Sequence, residues 1–279
     1  MNKFGINLML GAASLIGVAA SSGAAYADDA PAPEWGTFSA YVDVQSDYRF
    51  RGISQNDRQF APQASINWSG PDGFYAGVWA SKTRWNNGID AFCDDEEDFC
   101  DNHLGGTPSF ELDLYGGKHF DIGFADLNIE AYYYSYPDYN KFIGEASNFG
   151  DKKASYFEGI GQLQHSFGDL SLTLTGAMSP EWTLGGGTSG YIEGTASYPL
   201  LDWLSISANL GHQWVEHAPS DYTHGDIGLT ATWHSWSLDV RFNGTDMNRA
   251  TCGYYMGTNN ACNGTVVGTL TYNIADILK

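Results

Sequence analysis

From Phe38 onward, apolar and polar residues alternate with period two along nearly the whole chain. Successive side chains of a strand point to opposite faces, so this pattern describes strands with one apolar and one polar face. In FSAYVDVQSDYRF, Phe38, Ala40, Val42, Val44, Tyr48 and Phe50 fall on the apolar face, and Ser39, Asp43, Gln45, Asp47 and Arg49 on the other. The parity recurs in Phe110, Leu112, Leu114 against Glu111, Asp113, Tyr115, and in Leu127, Ile129, Ala131 against Asp126, Asn128, Glu130. It returns in Ile192, Gly194, Ala196 against Glu193, Thr195, Ser197; in Ile227, Leu229, Ala231 against Asp226 and Thr230; and in Leu238, Val240, Phe242 against Asp239, Arg241, Asn243. Twelve such segments can be read, the weaker ones at 73–82, 154–166 and 265–275.

The connections sort by length. Those expected at one end are long: 51–60, 83–108, 137–153, 180–187, 214–223 and 245–263. Those at the other are short: 70–73, about 119–125, 167–169, 199–202 and 234–235. Soluble sandwiches have no reason to segregate loops this way, whereas bacterial outer-membrane barrels have short periplasmic turns and long extracellular loops. The expected fold is therefore all-β, a transmembrane antiparallel β-barrel of about twelve strands. A strand of about 11 residues at roughly 3.3 Å per residue, tilted by about 40°, crosses the roughly 25 Å apolar band. Trp68, Phe74, Phe167, Tyr198, Trp203, Trp233 and Trp236 all flank the short turns, where a barrel carries an aromatic girdle.

The N-terminus fits export. Lys3, an apolar run and Ala25-Tyr26-Ala27 make a signal peptide over 1–27, leaving 28–279 as a single barrel domain. The net charge of −20 excludes a polyanion such as nucleic acid as partner. With 15% aromatics and 34 glycines, the chain does not resemble a disordered acidic one.

Four cysteines form two close pairs, Cys93 with Cys100 and Cys252 with Cys262, expected as two local staples in the long loops, with cross-loop bridges or free thiols as alternatives. CDDEEDFCD, Cys93 to Asp101, holds six acids without the D-x-D-x-D-G order of a calcium loop, and reads as solvated acidic loop or as a weak divalent bridge to lipopolysaccharide. No cofactor or metal is expected. None of the seven histidines lies in a G-x-S-x-G or H-E-x-x-H setting, and the adjacent pairs His165-Ser166 and His234-Ser235 point to opposite faces of a strand.

SDYRFRGISQ, followed by GFYAGVWAS at 73–81, resembles the TorF-family porins, with Ser46, Asp47, Tyr48, Arg49, Arg51, Gly52 and Ser54 matching the family's pattern. The resemblance implies an outer-membrane β-barrel channel and brings no catalytic residues. By parity the lumen is lined by Asp43, Asp47, Arg49, Arg51, Glu111, Asp113, Asp126, Glu130, Glu193, Asp226, Asp239 and Arg241, with Tyr48 and Phe50 facing lipid. The two arginines then belong either to the pore's mouth or to an ion-pair cluster. The polar face also carries Tyr41, Tyr75, Trp79, Tyr115, Tyr132, Tyr134 and Tyr191, either a sliding surface for solutes or filling. The expected function is a passive channel for small polar or cationic solutes. Its expected partners are outer-membrane lipid, lipopolysaccharide and the barrel-assembly machinery. A closed structural or surface-binding barrel, or a barrel hydrolase, is the alternative.

Overall fold

Strands that are apolar on one face and polar on the other can bury the apolar face against a second layer or, where the sheet closes on itself in a bilayer, put the polar face inside and the apolar face against lipid. The computed structural model describes residues 34–85, 108–137, 154–218, 220–256 and 258–274. Cys93, Cys100, the acidic stretch between them and the signal segment lie outside these residues. The chain forms β1 (Thr37–Gln45), a short hairpin of β2 (Arg49–Phe50) and β3 (Ile53–Ser54), then β4 (Ala61–Ser69), β5 (Phe74–Lys82), β6 (Phe110–Asp121) and β7 (Asp126–Ser135). Next come β8 (Tyr156–Phe167), β9 (Leu170–Trp182), β10 (Gly187–Leu201), β11 (Leu204–Val215), β12 (Tyr222–Trp233), β13 (Trp236–Thr245), a short helix α1 (Arg249–Met256) and β14 (Thr265–Ile274).

All strands except β2 and β3 make one closed antiparallel barrel of twelve, each paired with its sequence neighbour. Closure is made by β1 against β14, with Val42 opposite Tyr272 and Asp43 opposite Thr271, while the other edge of β1 pairs with β4. The expected strand count holds, and the sorting of connections holds except between β9 and β10, where only residues 183–186 separate the strands, no more than in the links 70–73 and 122–125. On the short-turn rim, the β12–β13 link is only His234-Ser235, and Gly168 turns the chain between β8 and β9 at φ +62°. Such tight links need positive φ, which His234 also adopts at 51°.

The outer face is apolar. Val42, Leu114, Leu174, Ile192, Leu229 and Val240 are exposed large hydrophobics of the mid-barrel. Six of the seven expected girdle rings are exposed beside the short turns and Trp68 is half-buried, its indole N–H donating to the Trp35 carbonyl. Trp236 packs on Tyr272 across the β13–β14 pair, with ring centroids 4.8 Å apart.

One expectation is overturned at the end of β1. The alternation through Tyr48 and Phe50 suggested a strand running on to the outer rim, but the wall strand stops at Gln45. Ser46 makes two last contacts with the wall, its N–H to the Gly268 carbonyl and its Oγ accepting from the Gly268 N–H, both 2.9 Å. The chain then turns into the lumen. Tyr48 and Phe50 are buried inside the barrel and do not face lipid.

Apolar-outside packing has a direct test. Leu174, outward and exposed, and Thr173, lumenal and half-buried, are chain neighbours. Leu174→Arg is expected to lose about 2–4 kcal/mol of stability in a bilayer. Thr173→Arg should lose less than half of that, and equal losses in urea unfolding from vesicles would contradict the assignment of faces.

Candidate functional site

The lumenal hairpin explains the charges of SDYRFRGIS. Phe50 pairs with Ile53, leaving Arg51 and Gly52 as a two-residue turn, both at positive φ (47° and 83°). That is the backbone of a tight hairpin, and it places Arg51 at the tip, pointing away from β1. A Cβ on Gly52 would stand 2.6 Å from Thr245 Cγ2 and 2.7 Å from His224 Cβ, so the tip is wedged against β12 and β13. Behind the tip the hairpin pairs most of its own polar groups, Arg49 Nη2 being without a partner. Asp47 accepts from Arg49 Nε at 2.8 Å and from Ser54 Oγ at 2.6 Å, Arg49 Nη1 donates to the Gly52 carbonyl, and Tyr48 N–H donates to Asn56 Oδ1. The returning chain is tied to the long-loop rim through Ser54 N–H to the Ala261 carbonyl and Arg84 N–H to the Gln55 carbonyl. Ala261 lies inside the loop closed by the Cys252–Cys262 disulfide, the second of the two expected staples.

At the tip, Arg51 makes a two-pronged ion pair with Glu158 on β8, with Nη1 to Oε1 at 3.1 Å and Nη2 to Oε2 at 2.8 Å. Nη1 also donates to Gln213 Oε1 on β11. The guanidinium carbon stands 3.9 Å from the Tyr191 ring centroid and 5.3 Å from that of Trp182. Arg51 and Glu158 are 1% and 0% exposed. The ion-pair cluster considered from the sequence is thus real, but it joins the hairpin to the far wall and not two neighbouring strands. Glu158 was absent from the sequence-derived lumenal set because its strand places Tyr156 and Ile160 on the same face, which blurs the alternation.

Nine acids and three arginines are buried in the lumen among the described residues. Asp126 is the exception in the expected set: it lies exposed at the short-turn end of β7, where the strand begins. Arg241 is shared by Asp226 and by Asp239, the latter at 2.7 Å, within one wall patch. Of the rest, five acids accept from a tyrosine, Glu158 from Tyr134 and four others. Tyr136 donates to Glu111 (3.2 Å), Tyr132 to Asp113 (3.1 Å), Tyr75 to Glu130 (2.7 Å) and Tyr191 to Glu193 (2.8 Å). A phenol gives a carboxylate its hydrogen bond without bringing a counter-charge.

The expected lumenal rings are where parity put them. Tyr115, Tyr132, Tyr134, Tyr156 and Trp182 form a continuous run with centroid separations of 4.4–5.2 Å, and the hairpin packs onto it, Phe50 against Tyr134 and Trp182 and Tyr48 against Trp79. These rings are filling at the long-loop half. Toward the short-turn rim the lining changes to half-buried Asn67, Gln164, Thr173, Ser197, Thr271 and Asn273, a polar vestibule.

Solved structures similar to this chain include the KdgM porin, at 9% identity over 84% of this chain and 98% of that one, with a TM-score of 0.51. The KdgM porin in complex with disordered oligogalacturonate gives 8%, 87%, 99% and 0.48, and the COG4313 outer membrane channel from Pseudomonas putida F1 gives 11%, 89%, 98% and 0.46. At such identities the likeness is one of fold: a porin-like barrel. No curated protein matches the sequence.

If the Arg51–Glu158 pair holds the hairpin, Glu158→Gln leaves a buried guanidinium without its counter-charge, a loss of about 3 kcal/mol or more. Hydrogen exchange of the 47–56 amides should accelerate on the order of a hundredfold while the strand amides stay protected; unchanged exchange would mean that the pair does not hold the segment. The family match runs over residues 29–274, and the chain belongs to the family described as bacterial protein of unknown function (Gcw_chp).

Proposed function

We propose that this protein is an outer-membrane channel that passes small polar or cationic solutes by diffusion, with the hairpin of residues 46–60 as its constriction. The observation that carries the reading is the excess of buried lumenal carboxylates over arginines inside a closed barrel with an apolar outer face. A water-filled passage between low-dielectric walls concentrates the field of those carboxylates, which enriches cations and repels anions. The porin-like fold and the resemblance of SDYRFRGIS to TorF-family porins support it. So does the polar vestibule, which gives a hydrated solute a surface of hydroxyls and amides in place of its own water. In this reading the signal segment directs export, the assembly machinery inserts the barrel, and lipid and lipopolysaccharide surround it.

A second reading, a closed-lumen structural or surface-binding barrel, draws on the burial of Tyr48, Arg49 and Arg51, which fill the long-loop half.

The two readings part in a planar bilayer under a potassium chloride gradient. The refolded mature protein should give small discrete steps with a reversal potential favouring potassium. Replacing residues 47–58 by a Gly-Ser linker should enlarge the steps several-fold. A reversal potential favouring chloride, or silence from both folded proteins, would overturn the channel reading and leave the closed barrel.

A further inference from the structure

Arg51 occupies a site that the wall builds without it. Glu158, Gln213, Tyr191 and Trp182 belong to four barrel strands, β8, β11, β10 and β9. Each of the first three is fixed by wall contacts. Glu158 Oε2 accepts from Tyr134 at 3.0 Å. Gln213 Nε2 donates to the carbonyls of Gly190 and Trp214 at 3.1 and 3.0 Å, which turns Oε1 toward the lumen. Tyr191 Oη is held between Glu193 and His224 Nε2, both 2.8 Å away. A receptor pre-ordered in this way needs little reorganisation to accept a ligand.

Its chemistry matches one class of cation. A carboxylate presents two oxygens to a planar fork, an amide oxygen meets a third N–H, and an aromatic face lies beneath the plane. Only the terminal end of Arg51 is used, since Nε has no hydrogen-bond partner. A small molecule with a free guanidinium group can therefore reproduce the contacts of Arg51, whereas an ammonium of similar size lacks both the fork and the flat face.

Resting on the channel reading above, we propose that Glu158, Gln213, Tyr191 and Trp182 form a guanidinium-selective solute site that Arg51 fills in the closed barrel. Guanidinium-bearing solutes are then the favoured cargo, because they open the constriction by competing with the arginine tip. A tethered side chain acts at an effective concentration on the order of millimolar, so solutes must reach that range to compete.

The test uses methylguanidinium chloride against methylammonium chloride at about 10 mM on the refolded mature chain in planar bilayers. Methylguanidinium should raise the wild-type conductance at least about threefold, and methylammonium should not. In Arg51→Ala the current should be large without either cation and should fall with methylguanidinium, which now sits in the vacant site; this fall should vanish in Arg51→Ala/Glu158→Gln. Equal responses to both cations, or a fall that survives Glu158→Gln, would overturn the site. Should Arg51→Ala not refold, Arg51→Lys keeps the charge without the fork and should respond to lower methylguanidinium concentrations than wild type; an unchanged dose response would count against the site. A readout independent of conduction separates this inference from the channel itself. The thermal midpoint of Arg51→Ala in detergent should rise by several degrees with methylguanidinium alone, even if the channel reading fails, and no shift would refute the site.

Discussion

Lipid offers no hydrogen bonds, so every main-chain N–H and C=O of a membrane-spanning strand must be paired inside the protein, and an open sheet edge is untenable. Everything else here follows from the closing of β1 on β14. Once the edge is abolished, the period-two sequence has only one way to sit, with leucine, isoleucine and valine outward and the polar set inward. The same closure fixes a radius. Eight strands leave an interior that side chains can fill, and sixteen or more leave an aqueous channel. Twelve lie between, and this barrel meets the problem in two ways: the rim-side half beneath the long loops is filled by a hairpin and stacked rings, and the half toward the short turns is left polar.

The hairpin can stay in that position because it brings its own hydrogen bonds. Asp47 accepts from Arg49 and Ser54 and Asn56 accepts from the Tyr48 N–H, so the charge left for the far wall to match is the one at the tip. Glu158 answers it. The buried pair is held by geometry: two nitrogens against two oxygens, with Gln213 and Tyr134 taking up further sites. A pair of this kind specifies where the tip goes more than it adds to overall stability.

Much of this was legible in the sequence, for a physical reason. Strand parity survives in a barrel because one face must be apolar along its whole length, and so the strand count, the sorting of loops and the lumenal side of Asp43, Glu111, Asp113, Glu130, Glu193, Asp226, Asp239 and Arg241 could be read. The hairpin could not. Alternation states which side of a strand a residue occupies, not which sheet the strand joins, and β2 continues the rhythm of β1 after leaving the wall. The available sign was Arg51-Gly52 between Phe50 and Ile53, a two-residue turn with glycine in second place, less familiar than Asn-Gly because arginine seldom adopts positive φ. Glu158 was hidden by Tyr156 and Ile160, inward residues that serve the packing of the plugged half, and Asp126 by the rim, where parity persists after the lumen has ended.

In the proposed channel, the placement of the three lumenal arginines would couple openness to selectivity. Arg241 is embedded in the wall beside Asp226 and Asp239 and stays with them whatever the hairpin does. The other two ride on the hairpin, accompanied by a single buried acid, Asp47. With the hairpin docked, part of the wall's negative charge is answered from within. If the hairpin withdraws, positive charge leaves the lumen and Glu158 joins the tyrosine-bound carboxylates as an uncompensated anion. On the channel reading proposed above, opening and cation preference would therefore be one event, since the group that blocks the passage is also the group that neutralises it.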